Sequence, residues 1–190
     1  MTEAYAIVGR RGGKSRFAAA LAVEAACLRD WSKHLAPGEV ATIAVVSADR
    51  PQSRNVLQYV AGMLDAVPAL GRLVERRTAE GFEFSGRTRI EVTTCSARSS
   101  RGYTFALVVA DEAAFWRSES SVEPDVEVLQ AIRPGLATLP GARLIVISSP
   151  YARRGVLWTA FRVHYGQEGA PVLRHHVRRS FGLETRARSS

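Results

Sequence analysis

Lysine is nearly missing from this chain. Of its 26 basic residues only Lys14 and Lys33 are lysines, and the other 24 are arginines. Cysteine is as scarce. Cys27 and Cys95 stand far apart with no metal-ligand spacing, so they read as free thiols of a reducing cytoplasm rather than as a disulfide framework. No run of 18 apolar residues exists, which excludes a membrane-spanning helix of the usual kind. The opening "MTEAYAIVGRR" holds five apolar residues in a row, too few for a signal-peptide core. Internal repeats are lacking too, and 190 residues suit one domain with a substantial core. The net charge of +8 invites a polyanionic partner. Its distribution weakens that inference, because five arginines and one glutamate place +4 of it in the last 20 residues.

What is present is a set of short, almost continuously apolar runs: "AYAIV" at 4–8, "TIAVVS" at 42–47, "FALVVA" at 105–110 and "LIVISS" at 144–149. Such runs fit strands covered on both faces, whereas "RIEVTTC" at 89–95 alternates and belongs nearer an edge. Between them the composition predicts helices over 15–31, 51–64, 123–132 and 155–165, the first rich in alanine and leucine and the second entered through Pro51. Strand and helix in alternation predict an α/β fold with a mostly parallel sheet and right-handed crossovers. Ligands of such sheets sit at the carboxyl ends of the strands, where every motif below falls.

The first motif is "VGRRGGKS" at 8–15, between a strand and an alanine-rich helix. Glycines let backbone amides turn inward around a phosphate, and the new helix offers its positive end to the anion. Gly9, Gly12 and Gly13 supply that freedom although Val8 stands where a first glycine is usual. Lys14 would reach the β and γ phosphates, and the Ser15 hydroxyl would bind Mg²⁺. The second motif runs off "FALVVA" into Asp111-Glu112. Asp111 would hold Mg²⁺ through oxygen, and Glu112 would orient the water attacking the γ phosphate. The third is Ser148-Ser149-Pro150, small hydroxyls at a strand tip that can sense the γ phosphate or simply cap the strand. Two strands, near 42–47 and 89–95, lie in sequence between the loop and Asp111, leaving room for an extra strand between the nucleotide-binding strands, as in motor ATPases.

Together, "VGRRGGKS", "RGYTFALVVADEAAFW" and "ISSPYARRG" resemble the ATPase domain of tailed-phage terminase large subunits, the DNA-packaging motors, from about residue 4 to residue 170. The resemblance implies a RecA-like P-loop NTPase fold with helices on both faces of the sheet, using ATP and Mg²⁺. By the same resemblance Gly9, Arg10, Arg11, Gly12, Gly13, Lys14 and Ser15 hold the nucleotide, Arg10 matching the arginine of the family's variant loop. Ser15 and Asp111 hold the metal, and Glu112 is catalytic. Ser148, Ser149 and Pro150 couple hydrolysis to movement. Arg101, 11 residues before Glu112, matches an Arg-Gly element and becomes the arginine finger reaching a neighbouring subunit, with Arg10 its rival from within the same subunit. The implied partners are double-stranded DNA, a portal protein, a small terminase subunit and further copies in a ring, in the cytoplasm of a bacterial host and with no membrane.

The resemblance also sets expectations about what is missing. Three residues precede Ala4, so an adenine-contacting segment with its glutamine is expected to be absent, as is the C-terminal RNase H-like nuclease domain. The expected organisation is an ATPase domain over 1–170 and a basic tail over 171–190, from a truncated or frame-shifted reading frame or for DNA phosphates. His175-His176 in that tail lack metal-ligand partners. Phe115 and Trp116 are expected to pack down the loop 115–125, and Arg153 and Arg154 to meet DNA or portal protein. A helicase-like translocase of another family and a remnant that binds nucleotide without turnover remain as alternatives.

Overall fold

The computed structural model describes residues 1–9, 11–95, 102–117, 123–149, 151, 153–164 and 167. Seven strands form one sheet: β1 Thr2–Ile7, β2 Ala41–Ser47, β3 Val74–Arg77, β4 Gly81–Phe84, β5 Thr88–Thr94, β6 Thr104–Asp111 and β7 Arg143–Ser148. Their order is β1-β7-β6-β2-β5-β4-β3. The first five of these run parallel, and the β3–β4 hairpin closes the far side antiparallel. The helices are α1 Lys14–Cys27, α2 Arg50–Ala66, the single turn α3 Pro68–Gly71, α4 Pro124–Ala137 and α5 Gly155–His164.

Three of the apolar runs read from the sequence, β2, β6 and β7, are interior strands, whereas "AYAIV" lies in β1, an edge strand that is mostly half-buried. β2 is buried along its whole length, and β6 from Phe105 onward. Two ion pairs show that helices cover both faces. Register places Glu3 beside Leu144, one step out of phase with Arg143, so Glu3 and Arg143 point to opposite sides of the sheet. Glu3 pairs with Arg133 of α4 at 2.7 Å, while Arg143 pairs with Glu24 of α1. Thus α1 and α4 lie on opposite faces.

Three sequence expectations are corrected here. The strand at 89–95 is not at the edge, because the hairpin β3–β4 lies outside it. β4 carries buried Phe82 and Phe84, and its partner β3 turns charged residues to solvent, where Arg76 pairs with Glu83. The first helix stops at Cys27 rather than 31. The chain bends away so that Trp31 is buried and its indole N–H donates to the Ala25 carbonyl at 2.8 Å. The fourth helix runs past 132 through Pro134 to Ala137, held down by buried Leu136 and by Leu139 beyond its end. Among the described residues no helix is long and apolar enough to cross a membrane. The tail at 171–190, with His175-His176, lies outside the described residues.

Candidate nucleotide site

β1 ends at Ile7, and Val8 continues its pairing by donating its amide to the Ser148 carbonyl at 3.0 Å. The loop then turns through Gly9 to Gly13. Gly12 donates back to the Gly9 carbonyl at 3.2 Å, and Gly13 takes a left-handed backbone (φ 79°) to open α1. Val8 belongs to this design. A Cβ on Gly12 would sit 2.5 Å from Val8 Cγ1 and 3.0 Å from the Gly9 carbonyl oxygen, so the buried valine occupies the space the second glycine leaves. Gly12→Ala is expected to cost about 1–3 kcal/mol through this overlap. Val8→Ala in the same chain should recover part of it, and chemical denaturation of the four-member cycle reads the coupling.

Lys14, the first residue of α1, folds its side chain back into the loop. Its Nζ donates to the carbonyls of Val8 (3.3 Å) and Gly9 (3.1 Å) and to Ser149 Oγ at 2.8 Å, and pairs with Glu112 Oε1 at 3.2 Å. The lysine side chain is only 8% exposed. No acidic side chain stands in the first turn of α1, so the positive helix end and Lys14 face the loop together. Ser15 follows, half-buried, while Arg11 is exposed with a left-handed backbone (φ 59°).

Across the sheet, β6 delivers Asp111 buried and Glu112 half-buried. Glu112 takes a left-handed backbone (φ 51°), a conformation costly for a residue with a side chain and kept only where the surroundings hold it. They do hold it. Glu112 Oε2 accepts from Ser149 N at 3.0 Å and from Ser148 Oγ at 3.2 Å. The next residues form a short helical turn, Ala113–Phe115, whose Ala114 amide donates to Ser148 Oγ at 3.3 Å. Trp116 is buried, its indole N–H donating to the Asp111 carbonyl at 3.0 Å, and Phe115 lies against Tyr151 with ring centroids 4.5 Å apart. Both aromatics therefore pack within the protein.

Asp111 itself is 3% exposed, and its Oδ1 has no hydrogen-bond partner among the described residues. Burial, then the neighbouring Glu112 charge, pushes its pKa up from 3.8 to about 6, with Lys14 opposing. A buried carboxylate with an unpartnered oxygen near a phosphate-type loop suits a hard divalent cation, and the Ser15 hydroxyl is chemically compatible with the same ion. The residues present fit Mg²⁺.

The extra strand between the loop strand and the acidic strand is β7, at β1-β7-β6; β2 and β5 lie on the far side of β6. β7 therefore brings Ser148 and Ser149 against the Lys14–Glu112 pair, a placement the order of motifs in sequence does not reveal. The structure brings together Lys14, Asp111, Glu112, Ser148 and Ser149. Arg10, Arg101 and Pro150 lie outside the described residues. Arg153 lies over the Trp158 ring at 5.8 Å, and Arg154 is exposed. Sequence reasoning missed the Lys14–Glu112 pair and the Val8–Gly12 fit. Spacing carries no signal for the pair, and the departure at Val8 was the available signal for the fit.

A strand leading into a glycine-rich loop and helix, an inserted strand, and a third strand running into two carboxylates define a RecA-like α/β fold. Among solved structures the chain is similar to the large terminase of bacteriophage HK97, at 17% identity over 92% of this chain and 35% of that one, with a TM-score of 0.67. It is similar also to the large terminase ATPase domain of Thermus phage P74-26, at 19% identity over 79% of this chain and 61% of that one, with a TM-score of 0.57. The chain thus spans about a third of the first protein and 61% of the second. At these identities the likeness is one of fold. No family model and no curated protein matches the sequence.

Proposed function

We propose that this chain is the ATPase domain of a phage terminase large subunit, hydrolysing ATP to drive double-stranded DNA into a capsid. The observation that carries the reading is the cluster in which Lys14, from the loop, and Ser149, from the inserted strand, both hold Glu112. It joins a phosphate-binding cation, a carboxylate able to take a proton and a strand tip that can move, all in one contact set.

The chemistry follows from those contacts. Lys14 is the group that meets the β and γ phosphates of ATP. To do so its ammonium must exchange the Val8 and Gly9 carbonyls and Glu112 for phosphate oxygens. Glu112, released from the ion pair, is then free to orient a water and take its proton, while Lys14 and the positive end of α1 stabilise charge on the departing phosphoryl group. Asp111 and Ser15 would hold Mg²⁺, which when bound would supply positive charge beside the phosphates. Ser148 and Ser149 contact Glu112 directly, so a change at the nucleotide moves the tip of β7 and the segment leading to α5, which we assign to coupling with Pro150.

Arg101 is assigned the transition-state cation supplied to a neighbouring subunit, with Arg10 acting within its own site. The working assembly on this reading is a ring on a portal, served by a small subunit in the host cytoplasm. Mixing Arg101→Ala subunits with Glu112→Gln subunits should restore hydrolysis that neither shows alone; no rescue assigns the role to Arg10.

The test of the function is steady-state ATP hydrolysis at high protein concentration, with and without double-stranded DNA. Mg²⁺-dependent turnover is expected, and its DNA-dependent part should fall with added salt. No turnover under either condition would refute the enzyme.

A further inference from the structure

The proposed reaction uses Asp111 but leaves its neighbour across the sheet without a task. β2 and β6 run parallel with Val46 beside Ala110, so Ser47 stands beside Asp111 at the two strand tips. Residues paired in this way share one face of the sheet. Ser47 is fully buried and Asp111 is 3% exposed. Among the described residues Ser47 Oγ and Asp111 Oδ1 both lack a hydrogen-bond partner, so the hydroxyl does not close onto the carboxylate beside it.

A buried hydroxyl left unpaired costs about 1–3 kcal/mol. Every other residue of β2 except Thr42 is alanine, valine or isoleucine, and any small apolar residue at 47 would avoid that cost. Asp111 Oδ1, as a carboxylate oxygen, can only accept, and the Ser47 hydroxyl can accept as well as donate. What the carboxylate lacks is a donor. A small divalent cation that keeps most of its hydration shell presents water hydrogens facing outward, which is the complement of this set. A bare anion is not, because it would set an acceptor against the Asp111 carboxylate.

We propose that Ser47 is a positioning residue for the metal of the nucleotide site, accepting a hydrogen bond from a water of the Mg²⁺ that Asp111 would hold. The inference rests on the ATPase reading above. It gives the tip of β2 a role in setting how the hydrated ion is oriented, and so how tightly it is held with ATP.

The test measures binding rather than turnover. A fluorescent ATP analogue is titrated into the full chain in EDTA and then at increasing Mg²⁺, for the wild type, Ser47→Ala, Ser47→Thr and Asp111→Asn. Ser47→Ala should raise the Mg²⁺ concentration for half-maximal tightening about tenfold, as loss of an outer-shell partner does. Its ATP affinity in EDTA should stay unchanged, and its melting temperature without metal should equal or exceed that of the wild type. Ser47→Thr, which keeps the hydroxyl, should restore most of the Mg²⁺ response. A wild-type Mg²⁺ requirement in Ser47→Ala, with Asp111→Asn shifted, would overturn the role of Ser47 and leave the ATPase reading standing. A lower melting temperature for Ser47→Ala without metal would also overturn it, since the hydroxyl would then serve the fold. If Mg²⁺ does not tighten ATP binding to the wild type, the ATPase reading fails as well.

Discussion

Glu112→Gln is expected to lower ATP turnover by about 10²–10⁴-fold while ATP still binds, the loss associated with removing a positioned general base. Glutamine keeps the shape of the side chain and an oxygen for the Ser149 amide, so the fold should survive. What disappears is the ability to take a proton from water, together with the charge that pairs with Lys14 at 3.2 Å. The variant should then trap ATP, because Lys14 no longer has a carboxylate competing for it. ATP affinity equal to or tighter than that of the wild type, beside lost turnover, is the expected signature. Retention of more than a tenth of wild-type turnover would remove Glu112 from the mechanism.

Asp111→Asn should raise stability in metal-free buffer while removing Mg²⁺-dependent turnover. Burial first, and then the Glu112 charge, hold the Asp111 pKa near 6 against an ordinary value of 3.8. A raised carboxyl pKa means that the folded protein binds the proton more tightly than the unfolded chain. Below about pH 4 both states are protonated and the group contributes nothing. Between about pH 4 and 6 the unfolded chain releases its proton first, so stability falls as the pH rises. Above about pH 6 the full cost, on the order of 3 kcal/mol, is present. Asparagine has no charge to bury. Its melting temperature should exceed that of the wild type at pH 7.5 and converge with it near pH 4. Added Mg²⁺ and ATP should stabilise the wild type and not the variant. An Asp111→Asn protein less stable than the wild type at pH 7.5 would contradict this picture of a buried, unpartnered carboxylate.

Both residues were legible in the sequence, and the reason is geometric. Buried parallel strands leave nearly continuous apolar runs, and "FALVVADE" marks both the strand and the point where its chemistry begins. The loop was legible because Gly13-Lys14-Ser15 lies between such a strand and an alanine-rich helix. The sheet order was not. That β7 enters between β1 and β6 depends on pairing across more than a hundred residues, which no local pattern records. The β3–β4 hairpin escaped because its strands are four residues long and one is charged throughout its exposed part, "ERR". In the sequence Val8 is a departure from the usual first glycine that Gly9, Gly12 and Gly13 make tolerable. It is the partner of Gly12, a fit visible only when the turn is built. Ser47 is only the last letter of the run "TIAVVS" in the sequence, and its position beside Asp111 gives it chemical meaning.

The central claim is that the loop from Gly9 to Ser15 binds the phosphates of a nucleotide through Lys14. Equilibrium binding of ATP and AMP to the wild type and to Lys14→Ala, in Mg²⁺, tests it most directly. Saturable ATP binding at least tenfold tighter than AMP, with that preference lost in Lys14→Ala, is the predicted result. Equal affinity for ATP and AMP, or an ATP preference that survives Lys14→Ala, would contradict it.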